Sequence, residues 1–151
     1  MTFVIQYAPA AASRRGRMLL NCQDKIEIQE LAVRYANAMD SGNFDDWLET
    51  WADDGVWEGG LGLYAGKAAL AKLPIDLGAR IQNKRHLMTN FVISGSGNQA
   101  TLQCYMVVVE RELSTAIVAT GVYFDTLKKV DGNWKFARRN VKLDPSFAVK
   151  T

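Results

Sequence analysis

The chain has 151 residues, 48% of them hydrophobic and 23% charged, with a formal net charge of +2. This suits one domain with a buried core and excludes a disordered chain, a coiled coil, a collagen-like repeat and any run of about 18 apolar residues that would span a membrane. The charge is uneven: Arg14, Arg15 and Arg17 have no acid beside them, and without them residues 18–151 carry −1, so no basic face offers itself to nucleic acid.

Residues 1–20 read as a flexible arm, or as an upstream start with Met18 as the natural first residue. The charges of MTFVIQYAPAAASRRGR follow its apolar stretch, unlike those of a signal peptide. A mitochondrial-type address is the lesser alternative, and a cytoplasmic location is expected. Residues 21–151 read as a single domain. Its first helix runs from about Asp24 to Met39, with Ile28, Leu31, Ala32, Tyr35 and Met39 at helical spacing. Asp24 and Glu27 resemble a capping box, and Ser41-Gly42-Asn43 ends the helix. Asn43 then caps a short helix with Phe44, Trp47, Leu48 and Trp51 on one face. Asp53-Asp54-Gly55 reads as a turn. Val56-Trp57-Glu58 starts a strand interrupted by Gly59, Gly60 and Gly62. A third helix opens at Gly66-Lys67, runs through Ala68, Leu70 and Leu73, and is broken by Pro74.

The second half changes character. His86–Ser94, Ala100–Glu110, Ala116–Leu127 and Trp134–Leu143 are rich in Val, Thr, Tyr and Phe and read as strands. Ser94–Asn98 forms one turn and Asp131-Gly132 another. Helices followed by antiparallel strands make an α+β fold with helices on one face of a curved sheet, which leaves a hollow where they cover it.

Asp40 falls on the arc of Ala36 and Val33, away from Glu30, Arg34 and Asn37. A carboxylate there is either a simple helix stop or a group that must be paired, hydrated or shifted in pKa. His86 is the single histidine. It is either an ordinary structural side chain or a general base, because its ring titrates near neutrality. Together the two residues suit proton transfer better than covalent catalysis, since no nucleophile is evident. Trp47, Trp51, Trp57 and Trp134, with Tyr35, Tyr64 and Phe91, supply core and part of a pocket wall. Alternation places one of Arg138 and Arg139 inward and the other outward, to bind an anion or to sit as edge charges. Cys22 and Cys104 are too few for a disulfide framework and read as reduced thiols. No phosphate loop, nucleophile elbow or metal-ligand spacing occurs.

Six stretches carry a resemblance: Ile28–Asp40, Gly42–Trp47, Ala52–Gly59, Arg85–Asn90, Thr120–Asp125 and Asp131–Asn140. They resemble the SnoaL-like proteins of the nuclear transport factor two-like superfamily, over about Asp24 to Asp144. The resemblance implies a cone: a strongly curved, mostly antiparallel sheet covered by three helices around a deep pocket, a cystatin-like α+β barrel. Two enzyme branches, scytalone dehydratase and hexachlorocyclohexane dehydrochlorinase, use an aspartate at the end of the first helix and a histidine opening the strand after the third. Asp40 and His86 match these positions, and Arg139-Asn140 matches an arginine of the dehydrochlorinase. Scytalone dehydratase uses a second histidine that this chain lacks, so scytalone itself is not the expected substrate.

The resemblance therefore implies a cofactor-independent lyase, of dehydratase or dehydrohalogenase type, acting on a small cyclic apolar substrate. His86, Asp40 and Arg139 would be catalytic, and Tyr35, Trp47, Trp57, Tyr64 and Asn90 would bind substrate. No metal or cofactor is expected. An isomerase would use the same pair. The alternative is a binding or assembly domain like the small subunits of ring-hydroxylating dioxygenases. A homodimer or homotrimer is expected by analogy, with a small molecule as partner and neither nucleic acid nor membrane.

Overall fold

The computed structural model describes residues 19–112 and 116–148. The expected arm lies, for residues 1–18, outside the described residues. Leu19 and Leu20, assigned to the same arm, are held: Leu19 bridges to Ser96 and Leu20 packs against the core.

Helix α1 spans Cys22–Ser41. Its cap lies three residues before the expected one: the Asn21 side chain accepts from the Asp24 amide at 2.8 Å, and the Asp24 carboxylate accepts from the Asn21 amide at 3.2 Å. Two of the four orphan donors at the helix start are thereby satisfied. Gly42, at φ 75°, ends the helix in the left-handed conformation that costs glycine little. Helix α2 is Phe44–Glu49, capped by Asn43 as expected. Trp51 is not part of it but opens strand β1 (Trp51–Gly59), because the Thr50 carbonyl accepts from the Phe136 amide and starts sheet pairing there. Asp53-Asp54-Gly55 is accordingly no turn. It lies within β1 at an irregularity of register between Trp51 and Val56.

Strand β2 (Gly62–Ala65) returns antiparallel to β1. The expected third helix is two short ones, α3 (Lys67–Leu70) and α4 (Leu73–Leu77), followed by a 3₁₀ turn at Gly78–Arg80. Pro74 starts α4 instead of ending α3, since the first helical turn needs no amide from it. The long strands are β3 (Lys84–Ser96), β4 (Gln99–Glu110), β5 (Ile117–Val130) and β6 (Asn133–Leu143).

The six strands form one sheet in the order β2-β1-β6-β5-β4-β3, antiparallel except for the β1–β6 pair. The fold is α+β, as expected, but the sheet does not close into a barrel, and β2 and β3 remain its edges. Helix α1 lies across β3 and β6, and the core between helices and sheet includes Ile28, Leu31, Trp51, Leu102 and Phe136, each at most 1% exposed.

Bulges decide which side chains face that core. In β3, two residues intervene between the pairs Thr89–Tyr105 and Val92–Gln103, against one in β4. Asn90, at φ 57°, takes up the extra place. In β6, Ala137 is the extra residue between the pairs Leu127–Phe136 and Thr126–Arg138. Trp134 and Phe136 are buried before it and Arg139 after it, while Arg138 is turned out. Uninterrupted alternation from Trp134 would have turned Arg138 inward instead.

Candidate active site

The α1–β3 contact brings Asp40 to His86. One carboxylate oxygen, Oδ2, accepts the backbone amide of His86 at 2.8 Å; the other, Oδ1, lies 2.6 Å from the ring Nδ1. The two side chains are 12% and 9% exposed. A carboxylate only accepts, so Nδ1 carries the proton and Nε2 is the ring's basic nitrogen. Nε2 has no hydrogen-bond partner among the described residues.

The His86 ring borders a cavity of about 380 Å³, a size that holds a small ring compound. The apolar wall includes Met39, Trp57, Met106, Val108, Val141 and Leu143. Its polar members are Tyr35, His86, Tyr123, Lys84 and Arg80. Lys84 shares the inward face of β3 with His86, two residues away. Its ammonium lies 2.5 Å from the Glu110 carboxylate, whose pKa it lowers, so its charge is balanced locally. Among the described residues, no three of His, Cys, Asp and Glu converge as a metal site.

Arg139 does not reach the cavity wall. It is 0% exposed, and its Nε and Nη2 donate to the two oxygens of Asp125 at 2.9 and 2.7 Å. Its Nη1 is buried without a partner. The guanidinium carbon stands 4.1 Å from the Tyr35 ring centre, 3.9 Å from that of Tyr123 and 4.4 Å from that of Phe136. Burial opposes the charge, but the adjacent Asp125 carboxylate more than offsets it and holds the guanidinium protonated beyond its ordinary range. The arginine expected at a leaving group is thus a buried cation behind two tyrosines. Asn140, beside it, faces the other way and donates to Glu58 at 3.2 Å.

Of the five residues expected to bind substrate, Tyr35 and Trp57 border the cavity and three do not. Trp47 is sealed in the core against Tyr35 and Trp51. Tyr64 backs Trp57 edge-on at 5.8 Å and donates its hydroxyl to Asp76 at 2.9 Å. Asn90 is exposed on the outer face, where the bulge turns it. Tyr123 and Lys84 were not singled out from sequence, although simple alternation along Tyr123-Phe124-Asp125 puts Tyr123 on the face of Asp125.

Residues 21–140 match the SnoaL-like domain family. A protein of unknown function with a cystatin-like fold from Nostoc punctiforme is 32% identical, over 88% of this chain and 100% of that one, with a TM-score of 0.83. A protein of unknown function from Mycobacterium tuberculosis is 30% identical, over 84% and 78% of the two chains, with a TM-score of 0.76. LinA, at 20% identity over 81% and 86% and a TM-score of 0.70, is alike in fold. No curated protein matches the chain. Among the described residues, no helix is long and apolar enough to cross a membrane.

Proposed function

The chain belongs to the SnoaL-like domain family, and from that premise we propose that it is a cofactor-independent lyase using His86 as general base and Asp40 as the group that orients and charges it. One observation carries this reading: both oxygens of Asp40 are spent on His86, which leaves Nε2 as the basic atom of a largely apolar cavity. Nε2 takes a proton from carbon. The C–H electron pair becomes a C=C bond, and either halide departs with the C–halogen pair or hydroxide departs with the C–O pair and takes the proton back from the imidazolium to leave as water. Asp40 stabilises the imidazolium, and low polarity around the pair strengthens that attraction. Returning the proton to another carbon instead would make the same site an isomerase.

The substrate is a small, cyclic, mostly apolar molecule, since the cavity offers few polar partners for its size. Self-association as a dimer or trimer is favoured by Leu87, Val92, Tyr105 and Phe124, which the outer sheet face leaves exposed.

The experiment is incubation in D₂O with a panel of enolisable, dehydratable and halogenated ring compounds, followed by NMR and mass spectrometry. Deuterium uptake or loss of water or halide is expected with the native chain, and neither with His86→Ala. Ligand binding without exchange or elimination for any member would move the assignment to the binding domain.

A further inference from the structure

Two basic side chains on the cavity wall have no role in the pair just described. Arg80, Lys84 and His86 line the cavity, and among the described residues no aspartate or glutamate does. His86 and Lys84 each stand before a carboxylate, those of Asp40 and Glu110. Arg80 makes no ion pair among the described residues. It is exposed at the end of the 3₁₀ turn Gly78–Arg80. The Ile81 carbonyl accepts from the Lys84 amide at 3.3 Å, so Arg80 and Lys84 lie four residues apart across one tight turn. At this end of the cavity Lys84 and Glu110 cancel, and the charge of Arg80 is left over.

Lys84 is fixed in place and does not trail into solvent. Its side chain is 14% exposed and that of Glu110 12%. The ammonium donates to the Glu110 carboxylate and, at 3.0 Å, to the Gln82 carbonyl. Glu110 also accepts from the backbone amides of Arg111 and Glu112, at 3.0 and 3.1 Å. The ammonium first, and the two amides with it, hold the carboxylate ionised below its ordinary range. An ammonium has three N–H donors. Two are spent on the protein, and one is left on a side chain that borders the cavity. A mostly buried cation with an unspent donor gains by meeting a ligand oxygen.

We propose that Lys84 and Arg80 form a carboxylate subsite at one end of the cavity, and that the substrate is a small apolar ring bearing one carboxylate. This rests on the proton-transfer reading and narrows its substrate class. One carboxylate oxygen accepts the remaining N–H of Lys84, and the guanidinium of Arg80 meets the other. A monoanion matches the single charge left over at this end. The subsite also fixes where the ring reacts. Lys84 and His86 are alternate residues on the inward face of β3, about 6.5–7 Å apart along the strand. The carboxylate is therefore held away from the carbon whose proton Nε2 removes. It orients the ring and does not itself activate the C–H bond. A wholly neutral ring would leave the Lys84 donor unspent.

The test uses 2-naphthoate, a ring acid, and 2-naphthamide, the same ring with an uncharged head, titrated into the protein by calorimetry at pH 7. The native chain is expected to bind naphthoate at least about tenfold more tightly than naphthamide. Arg80→Gln, on an exposed turn, should weaken naphthoate binding about three- to fivefold. The double variant Lys84→Met with Glu110→Gln removes the donor without stranding the carboxylate. It should weaken naphthoate binding about ten- to a hundredfold. Both variants should bind naphthamide as the native chain does, which also reports an intact cavity. Equal binding of the two probes, naphthoate affinity unmoved by Arg80→Gln or by the double variant, or no binding of either probe overturns the proposal. The assay needs no turnover. A preference for naphthoate with no exchange or elimination in D₂O therefore removes the proton-transfer reading and leaves the carboxylate subsite. Exchange with no preference for naphthoate removes the subsite alone.

Discussion

Asp40 holds His86 twice, by the backbone amide at 2.8 Å and by ring Nδ1 at 2.6 Å. The first contact is structural: it fixes the start of β3 to the end of α1. The second fixes the tautomer. The substitution Asp40→Asn separates them, because an amide oxygen still accepts from the backbone while the charge opposite the ring is gone. We expect Asp40→Asn to fold and to lose about 10²- to 10⁴-fold in proton-transfer rate. Asp40→Ala also leaves the His86 amide unpaired and should lower stability by about 1–3 kcal/mol. Deuterium exchange and urea unfolding of both variants check this. Equal rates in Asp40→Asn and the native chain would exclude a catalytic pair.

The Arg139–Asp125 pair lies wholly inside the sheet, directly across the β5–β6 ladder. Removing one partner strands the other's charge in the core. Arg139→Met and Asp125→Leu should each cost about 3–5 kcal/mol, and the double variant should recover most of that loss. Urea denaturation of the three variants measures the coupling. Additive losses would mean that the two charges do not depend on each other.

Much of this architecture was legible in the sequence. The periodicity of α1, the Asp131-Gly132 turn and the β-rich second half each reflect local chemistry that the chain states directly. Asp40 could be named because it is a polar residue out of place in its pattern, and His86 because it is the chain's single histidine. The inward set of side chains was not legible, because it depends on bulges. One extra residue at Ala137 reverses the alternation of β6 and buries Arg139, and one at Asn90 sends that side chain outward. Trp47 and Trp57 look alike as sequence, and only tertiary packing seals the first and sets the second on the cavity wall.

The Asn90 bulge gives a prediction of its own. At φ 57° asparagine is tolerated, glycine is easier, and a β-branched residue is strained. Asn90→Gly should leave stability within about 0.5 kcal/mol of the native chain, while Asn90→Val should cost about 1–3 kcal/mol. Thermal unfolding of the two variants distinguishes them. A stable Asn90→Val would mean that β3 can lose its bulge and shift register.

The two thiols should behave oppositely. Cys22 is exposed. Cys104 is sealed in the core, and burial pushes its thiol up to about 12. Since the thiolate is the reactive form, Ellman's reagent at pH 8 should titrate one thiol in the native protein and two in guanidinium. Rapid labelling of both in the native state would show that the sheet opens locally around β4.

Asp24 ties the start of α1 to the last hairpin. Its carboxylate lies 2.6 Å from the Lys129 ammonium and accepts from Trp134 Nε1 at 3.2 Å, besides capping the helix. The Lys129 hydrogen bond, helped by Asn21 and Trp134, lowers its pKa below the ordinary 3.8 against the opposing effect of burial. A carboxylate whose folded pKa is depressed stabilises the fold fully above the ordinary value. That contribution fades as the pH falls through the lower, folded one. Near neutrality Asp24→Asn should therefore be less stable than the native chain by about 1–3 kcal/mol. The difference should shrink below about pH 4, because protonation then removes the same charge from the native protein. Urea unfolding midpoints from pH 7 down to pH 2.5 test this, and parallel curves across that range would mean that Asp24 does not titrate with folding.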